Sequence, residues 1–396
     1  MNQYALDKSQ KEAVDFAIAS GFAIINGGAG CGKTTIIKSI VDELDKRGEE
    51  YELCAFAGKA AARLKQATER EAKTIHRMLQ WMGERFQRGT LKNYTVIIDE
   101  ASMVSSSLMA QICRREPKRL VLVGDEAQLP PVGKGQPFHD LIKMFPGIVR
   151  TLTTCYRNRE AVYQAALAIR NGHMPAKQLK TKEEIWSCRP CASARGVHSL
   201  ILDMVRNGEL DFRQDIILVP RNQDETSGAS SVETLNADIV DIVNPREGKE
   251  RFRAGDRVIN TVNTPDLDVW NGTTATVVSI GEDGRMYLEL DFPAIDMATG
   301  ELTNNVTIPK DKVKNFRLAY ALTVHKSQGS QYRKVILIVL QRDLHALLDR
   351  AMVYTGITRA CYECQIIGEM QAFANAINKQ SSKQTIMQTI HSIIGE

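Results

Sequence analysis

The run Gly27-Gly28-Ala29-Gly30-Cys31-Gly32-Lys33-Thr34 has the residue types and spacing to cradle a polyphosphate. It fits G-x-x-x-x-G-K-[ST], a loop whose backbone N–H groups and following helix N-terminus face the phosphates. Lys33 takes the position that reaches the β- and γ-phosphates. Thr34 takes the position whose hydroxyl holds magnesium, and Thr35 follows it in the first helical turn. The context agrees: Phe22-Ala23-Ile24-Ile25 precedes the loop as an apolar strand, and Ile37, Ile40, Val41 and Leu44 follow at helical spacing. Further on, Val96-Ile97-Ile98 ends in Asp99 and Glu100. Phosphoryl chemistry needs one acid to hold the metal and another to polarise water; Asp99 suits the first role and Glu100 the second. Gln128, just past the apolar run Leu120–Val123, lies where α/β sheets bind ligands and could sense a γ-phosphate.

Strands and helices must bring these residues together. Phe22–Asn26, Tyr51–Phe56, Val96–Ile98 and Leu120–Val123 alternate with amphipathic segments through residues 1–150. That rhythm predicts a parallel sheet covered by helices on both faces. It breaks at 81–94, a polar, basic, glycine-marked stretch that predicts a projecting hairpin. A second α/β pattern covers 151–244 and 316–396, with strands at Ile216–Val219, Val335–Leu340 and Gln365–Ile367. Residues 245–315 interrupt it with short alternating runs and the turn pairs Asn271-Gly272 and Asp283-Gly284, which predict an inserted small β-barrel. Ile386, Ile390 and Ile394 suggest a closing amphipathic helix. The expected fold is therefore α/β: two parallel-sheet domains, a barrel inserted in the second and a short hairpin in the first.

Composition sets bounds. With 396 residues, 43% of them hydrophobic and 25% charged, the chain can bury more than one core. Its longest apolar run, Val335–Leu340, falls far short of the roughly 20 residues that span a bilayer. Met1-Asn2-Gln3-Tyr4 carries no signal pattern, so a cytoplasmic location is expected. A net charge of +4 permits a nucleic-acid partner without demanding one. The candidate basic clusters are Arg85/Arg88/Lys92, Arg114/Arg115/Lys118/Arg119 and Lys310/Lys312/Lys314/Arg317. Eight cysteines are expected to stay reduced. Cys188/Cys191 and Cys361/Cys364 have metal-ligand spacing but lie far apart, with no third ligand nearby, so a metal site stays an open alternative.

Taken in order, these motifs and several others resemble the superfamily 1 helicases, in particular the B-branch that includes the RecD subunit of exodeoxyribonuclease V and the small phage helicase Dda. The resemblance runs from about Leu6 to Gly368. It implies RecA-like motor domains 1A (1–150, with a pin at 81–94) and 2A (151–244 and 316–396), with 2B as the insert (245–315). It implies that Gln10 reads adenine, that Tyr156 stacks on it, and that Gly329 lies near the nucleotide. Arg157, in Leu152-Thr153-Thr154-Cys155-Tyr156-Arg157, and Arg359, in Tyr354-Thr355-Gly356-Ile357-Thr358-Arg359, match the arginines that contact the transferred phosphoryl group. Lys59, Thr74 and His76 match residues that grip single-stranded DNA from one domain; Thr323, His325 and Lys326 match those of the other. The resemblance thus implies ATP and Mg²⁺ as cofactors, a cleft that closes on ATP, and a monomer that unwinds DNA 5′ to 3′ at junctions of single and double strand. Gln331 stands where an acidic residue is common, and the pin is short. No nuclease cluster and no long N-terminal extension are seen, so the compact Dda-like form is expected. Alternatives are a translocase that does not unwind, a DNA-binding subunit of a recombination complex, and an RNA helicase.

Overall fold

A computed structural model describes residues 6–83, 85–154, 161–223, 230–245, 248, 250–295, 299 and 301–380. They fall into two compact units, one before residue 159 and one after it. The closing helix expected around Ile386–Ile394 lies outside the described residues.

In the first unit six strands form one wholly parallel sheet. They are β1 (Phe22–Gly27), β2 (Tyr51–Ala55), β3 (Ala72–Thr74), β4 (Thr95–Asp99), β5 (Arg119–Gly124) and β6 (Val149–Leu152), in the order β3-β2-β4-β5-β1-β6. Successive side chains point to opposite faces of a strand, and both faces are covered here. Ile25, Ile97, Val121 and Val123 pack with Ile37, Ile40 and Leu44 of helix α2 (Lys33–Lys46) on one side. Ile24, Val96, Ile98, Leu120 and Leu122 pack with Met78, Ile112 and Phe138 on the other. Helix α1 (Lys8–Ala19) starts at a reciprocal cap: Gln10 N–H donates to Asp7 Oδ1 at 2.8 Å, and Asp7 N–H donates to Gln10 Oε1 at 3.2 Å. Within the stretch expected to form a hairpin, the described residues make one antiparallel bridge, Trp81 with Phe86.

The second unit carries two sheets. Strands β7 (Gln178–Lys180), β8 (Ile185–Pro190), β9 (Asp215–Val219), β15 (Ala321–Thr323), β16 (Tyr332–Val339) and β17 (Ala360–Gly368) run β15-β9-β16-β17-β8-β7, and only the β7–β8 pairing is antiparallel. Strands β10 (Arg257–Asn260), β11 (Thr274–Ile280), β12 (Met286–Ile295), β13 (Leu302–Ile308) and β14 (Phe316–Leu318) form the second sheet, antiparallel, in the order β13-β12-β11-β10-β14. A closed barrel was the expectation. The described pairings make an open sheet, because β13 pairs β12 and β14 pairs β10, leaving both at edges. Its last strand falls at 316–318, just past the expected end of the insert.

Asn236, on the helix Val232–Val243, ties the edge strand β15 to the rest of its unit. Its Oδ1 accepts from the N–H groups of Tyr320 (2.8 Å) and Ala321 (2.9 Å), and its Nδ2 donates to Ala321 O at 2.9 Å. The Tyr320 hydroxyl donates to Asp256 Oδ1 at 3.3 Å, which links the same point to the start of the antiparallel sheet.

Gly368 closes β17 at φ +144°, and a Cβ there would stand 1.9 Å from the carbonyl oxygen of Val339. Neither backbone can yield without breaking the β16–β17 ladder. Gly368→Ala is expected to lower unfolding free energy by about 3 kcal/mol, measured by urea titration; an unchanged midpoint would rule out this packing.

Candidate functional site

The phosphate-loop sequence forms a loop between β1 and α2. Gly30 (φ +79°) and Gly32 (φ +75°) take left-handed backbone conformations that a side chain would strain. Gly32 is the N-cap of α2 and offers no side-chain cap, so the first-turn N–H groups of that helix are left for an anion. The Lys33 ammonium donates to the carbonyl oxygens of Gly27 (2.8 Å) and Gly28 (3.0 Å), which holds it over the loop. It forms no ion pair among the described residues.

Asp99 ends β4, and its Oδ1 accepts from the Glu100 N–H at 2.9 Å. Desolvation of the carboxyl, with the Glu100 carboxylate beside it and only partial relief from Lys33, raises the Asp99 pKa from 3.8 to about 6. Glu100 adopts φ +53°, a left-handed conformation rare for a residue with a Cβ. Its Oε2 is buried with no hydrogen-bond partner. Two carboxyl groups are thus held together with little to balance them.

Gln128 is buried in the turn after β5, where its N–H donates to Asp125 O at 3.2 Å. Because β4, β5 and β1 are parallel neighbours, their C-terminal ends lie along one sheet edge, and Asp99, Gln128 and the loop lie with them. Asn26 fastens this edge. Its Oδ1 accepts from the Glu126 N–H at 3.1 Å, and the Glu126 carbonyl also pairs with His139 Nε2 at 2.9 Å. The sequence reading missed Asn26; a polar residue ending an otherwise apolar strand, directly before the glycines, was the available signal. Gln10 is buried against the loop, with Nε2 3.4 Å from Cys31 O. Its amide is engaged at both ends, by that carbonyl and by the helix cap.

In the second unit, Arg359 is 4% exposed. Its guanidinium donates to Thr355 O (3.1 Å), Ser330 O (3.4 Å) and Thr358 Oγ1 (3.2 Å), all neutral acceptors. Among the described residues no carboxylate pairs with it. Gly329, at φ +76°, sits between Ser330 and Gln328, whose Nε2 is buried without a hydrogen-bond partner. Tyr156 and Arg157 lie outside the described residues.

The strand-gripping candidates divide by unit. Lys59 is buried near the start of helix α3 (Gly58–Thr68). Thr74 Oγ1 caps helix α4 (Ile75–Met78), accepting from the Arg77 N–H at 3.2 Å. His76 stands between Phe56 (ring centroids 6.2 Å apart) and Phe86 (5.9 Å), and Trp81 packs on Phe86 at 4.5 Å. Burial lowers the His76 pKa, so this residue offers a neutral ring rather than a charge. In the other unit, Thr323 Oγ1 accepts from the Lys326 N–H at 3.3 Å, closing the turn that carries His325.

Most of the basic clusters serve the fold. Arg88 and Lys73 both reach the buried Glu52, at 2.9 and 2.7 Å. Lys118 and Arg119 pair with Glu49, whose pKa they pull down to about 2. Lys312 pairs with Asp266, but Arg317 forms no ion pair among the described residues. The two cysteine pairs build no metal centre: among the described residues no group of three or more metal-ligating side chains converges. Burial pushes the Cys188 thiol up to about 11 and raises Cys364 as well, which leaves both as inert thiols. Among the described residues no helix is long and apolar enough to cross a membrane.

Residues 5–187 match the AAA domain family, and residues 318–367 match the UvrD-like helicase C-terminal domain. The chain is 32% identical over 370 residues to the ATP-dependent RecD2 DNA helicase of Deinococcus radiodurans, covering 90% of this chain and 48% of that protein. It is 29% identical over 422 residues to the RecBCD enzyme subunit RecD of Mycobacterium tuberculosis, covering 94% and 71%. It therefore spans about half the length of the first relative and about seven-tenths of the second. A structure of two coordinating Pif1 helicases at forked double-stranded DNA superposes with a TM-score of 0.59 at 19% identity, over 99% of this chain and 98% of that one. Pif1 helicase from Candida albicans gives 0.54 at 18%, over 99% and 100%. These likenesses support the two-sheet α/β fold.

Asp99 also sets a pH dependence. Its folded-state pKa lies above the unfolded value, so the protonated form suits the fold and the ionised form opposes it. That opposition is absent near pH 4 and complete above pH 6. Asp99→Asn is therefore expected to melt at a higher temperature than the parent at pH 7 without metal, with the gain shrinking as pH falls towards 4. A constant difference across that range would show that Asp99 titrates normally.

Proposed function

We propose, from the likeness of this chain to RecD-like superfamily 1 helicases, that it is an ATP-driven motor that moves 5′ to 3′ along single-stranded DNA and opens duplex at a junction. One observation carries the reading: the phosphate loop, Asp99, Glu100 and Gln128 meet on one sheet edge, where the Asp99 charge is only partly compensated and Glu100 Oε2 has no hydrogen-bond partner. The polarity and the choice of DNA follow from the family resemblance. So does the division into motor halves at 1–150 and at 151–244 with 316–396, with the insert at 245–315 and the pin at 81–94.

The Thr34 hydroxyl and Asp99 carboxylate are hard oxygen donors of the kind magnesium takes, and the raised Asp99 pKa marks a carboxylate short of a cation. When bound, the ion supplies positive charge at the β- and γ-phosphates. Lys33 would exchange its two loop carbonyls for phosphate oxygens, a stronger, charge-assisted pairing. Glu100, with Oε2 unpartnered, would orient the attacking water and accept its proton. Gln128 would report the γ-phosphate, while Gln10 and Tyr156 would hold adenine. Arg157 and Arg359 would neutralise charge as it develops on the phosphoryl group, an effect of roughly 10³ to 10⁵ in rate. Arg359 suits the role because its guanidinium bonds only to neutral acceptors. Lys59, Thr74 and His76 in one half, and Thr323, His325 and Lys326 in the other, would hold the strand that each turnover advances.

The single bridge between Trp81 and Phe86 makes a small wedge. It favours, as a second reading, a translocase that strips bound protein from DNA without opening duplex.

Lys33→Ala is expected to abolish ATP turnover while oligonucleotide binding persists. Strand displacement from duplexes bearing a 5′ or a 3′ tail is expected to need ATP and the 5′ tail. ATP hydrolysis stimulated by single strands without displacement from either tail would select the translocase. Normal hydrolysis by Lys33→Ala would remove the motor reading altogether.

A further inference from the structure

A cavity of about 720 Å³ opens in the second unit between the helix Val232–Val243, the turn after β15 and the antiparallel sheet. Its volume is within the roughly 300–1,000 Å³ of small-ligand sites. Three cations line it: Arg251 from the lead into β10, Arg317 from β14, and Lys326 from the strand-gripping turn. The two arginines are held alike. Arg251 Nη2 donates to the carbonyl oxygens of Lys314 (3.2 Å) and Phe316 (2.9 Å), and Arg317 Nη1 donates to the same two, at 2.6 and 2.9 Å. Neutral carbonyls position them but leave their charge intact, and among the described residues none of the three cations forms an ion pair. Burial and the nearness of Arg317 lower the pKa of both Arg251 and Lys326, which is the mark of cations crowded together.

The rest of the lining is mixed. Val232, Phe252 and Leu318 supply an apolar wall, and Glu233 and Glu250 bring two carboxylates against the three cations. The excess is one positive charge, which matches the single negative charge of a phosphodiester. A base has the apolar faces to meet the wall. Lys326 joins the cavity to the turn already read as gripping a strand.

We propose that this cavity seats one nucleotide of a single-stranded nucleic acid, with its phosphodiester among Arg251, Arg317 and Lys326 and its base against the apolar wall. The inference rests on the strand-binding reading above. It makes the inserted sheet a contributor to the grip, through two arginines that the family motifs do not include.

Fluorescence anisotropy with a labelled thymidine oligonucleotide tests it, read at several salt concentrations. Arg317 is exposed, so Arg317→Ala should fold, with a melting midpoint close to the parent's. It is expected to weaken binding about tenfold, or about 1.4 kcal/mol. It should also flatten the slope of log K against log[salt] by about 0.7, the share of one phosphate on a single strand. Arg317→Lys should recover most of the affinity, and Arg251→Ala/Arg317→Ala should flatten the slope further. Free thymidine monophosphate, at equal nucleotide concentration, should fail to displace the oligonucleotide. An unchanged affinity and slope in the double variant would overturn the proposal while leaving the motor reading intact. Displacement by the free nucleotide would also overturn it, in favour of a mononucleotide site. A parent protein that hydrolyses ATP but binds no oligonucleotide would remove the motor reading and this proposal together.

Discussion

The Asp99 carboxyl is desolvated beside Glu100, and Lys33 and Arg63 ease it only in part, two loop carbonyls already occupying the lysine. Charge removed from water without an opposite charge is costly, and folded chains normally pair it or neutralise it. Here the compensation is only partial, and Arg359 shows a similar pattern, its guanidinium buried among neutral oxygens. One unit thus holds an excess of desolvated carboxylate and the other a desolvated cation. Stability given up in this way is available as binding energy to a ligand of opposite charge.

A site of this kind needs a stiff support, because uncompensated charges would otherwise find water or each other. The parallel ladder provides it. Adjacent β4, β5 and β1 are packed on both faces, so their C-terminal ends cannot shift separately. Asn26 then fixes the turn after β5 to the end of β1 with one hydrogen bond. The left-handed backbone of Glu100 fits the same account: a strained conformation persists where its surroundings over-determine it.

Basic residues sort by partner rather than by sequence density. Arg88, Lys118, Arg119 and Lys312 all meet carboxylates of their own fold. Arg251 and Arg317 donate to backbone carbonyls, and among the described residues neither they nor Lys326 forms an ion pair, although Glu233 lies near Lys326. A run of positive charge in the sequence therefore says little about nucleic acid until the acids are placed. The Asn236 and Tyr320 contacts matter for the same reason, since they hold the edge strand β15, and with it Lys326, in fixed relation to the sheet that supplies Arg317.

The chain by itself determined the parts whose chemistry is local. A phosphate loop is legible because glycine alone takes φ +79° and +75° freely, and a lysine and threonine must follow at once. The strands around it were legible because continuous apolar runs have few other stable fates. Tertiary structure decided what depends on residues far apart in sequence. Asn26 meets Glu126 only because β1 and β5 are neighbours, and the inserted strands form an open sheet because β13 and β14 reach no common partner. Whether a given arginine was spent on a carboxylate or kept for an anion was likewise a matter of three-dimensional pairing. Charges interact through space over a few ångströms, and sequence spacing fixes that distance only within a turn or a single element.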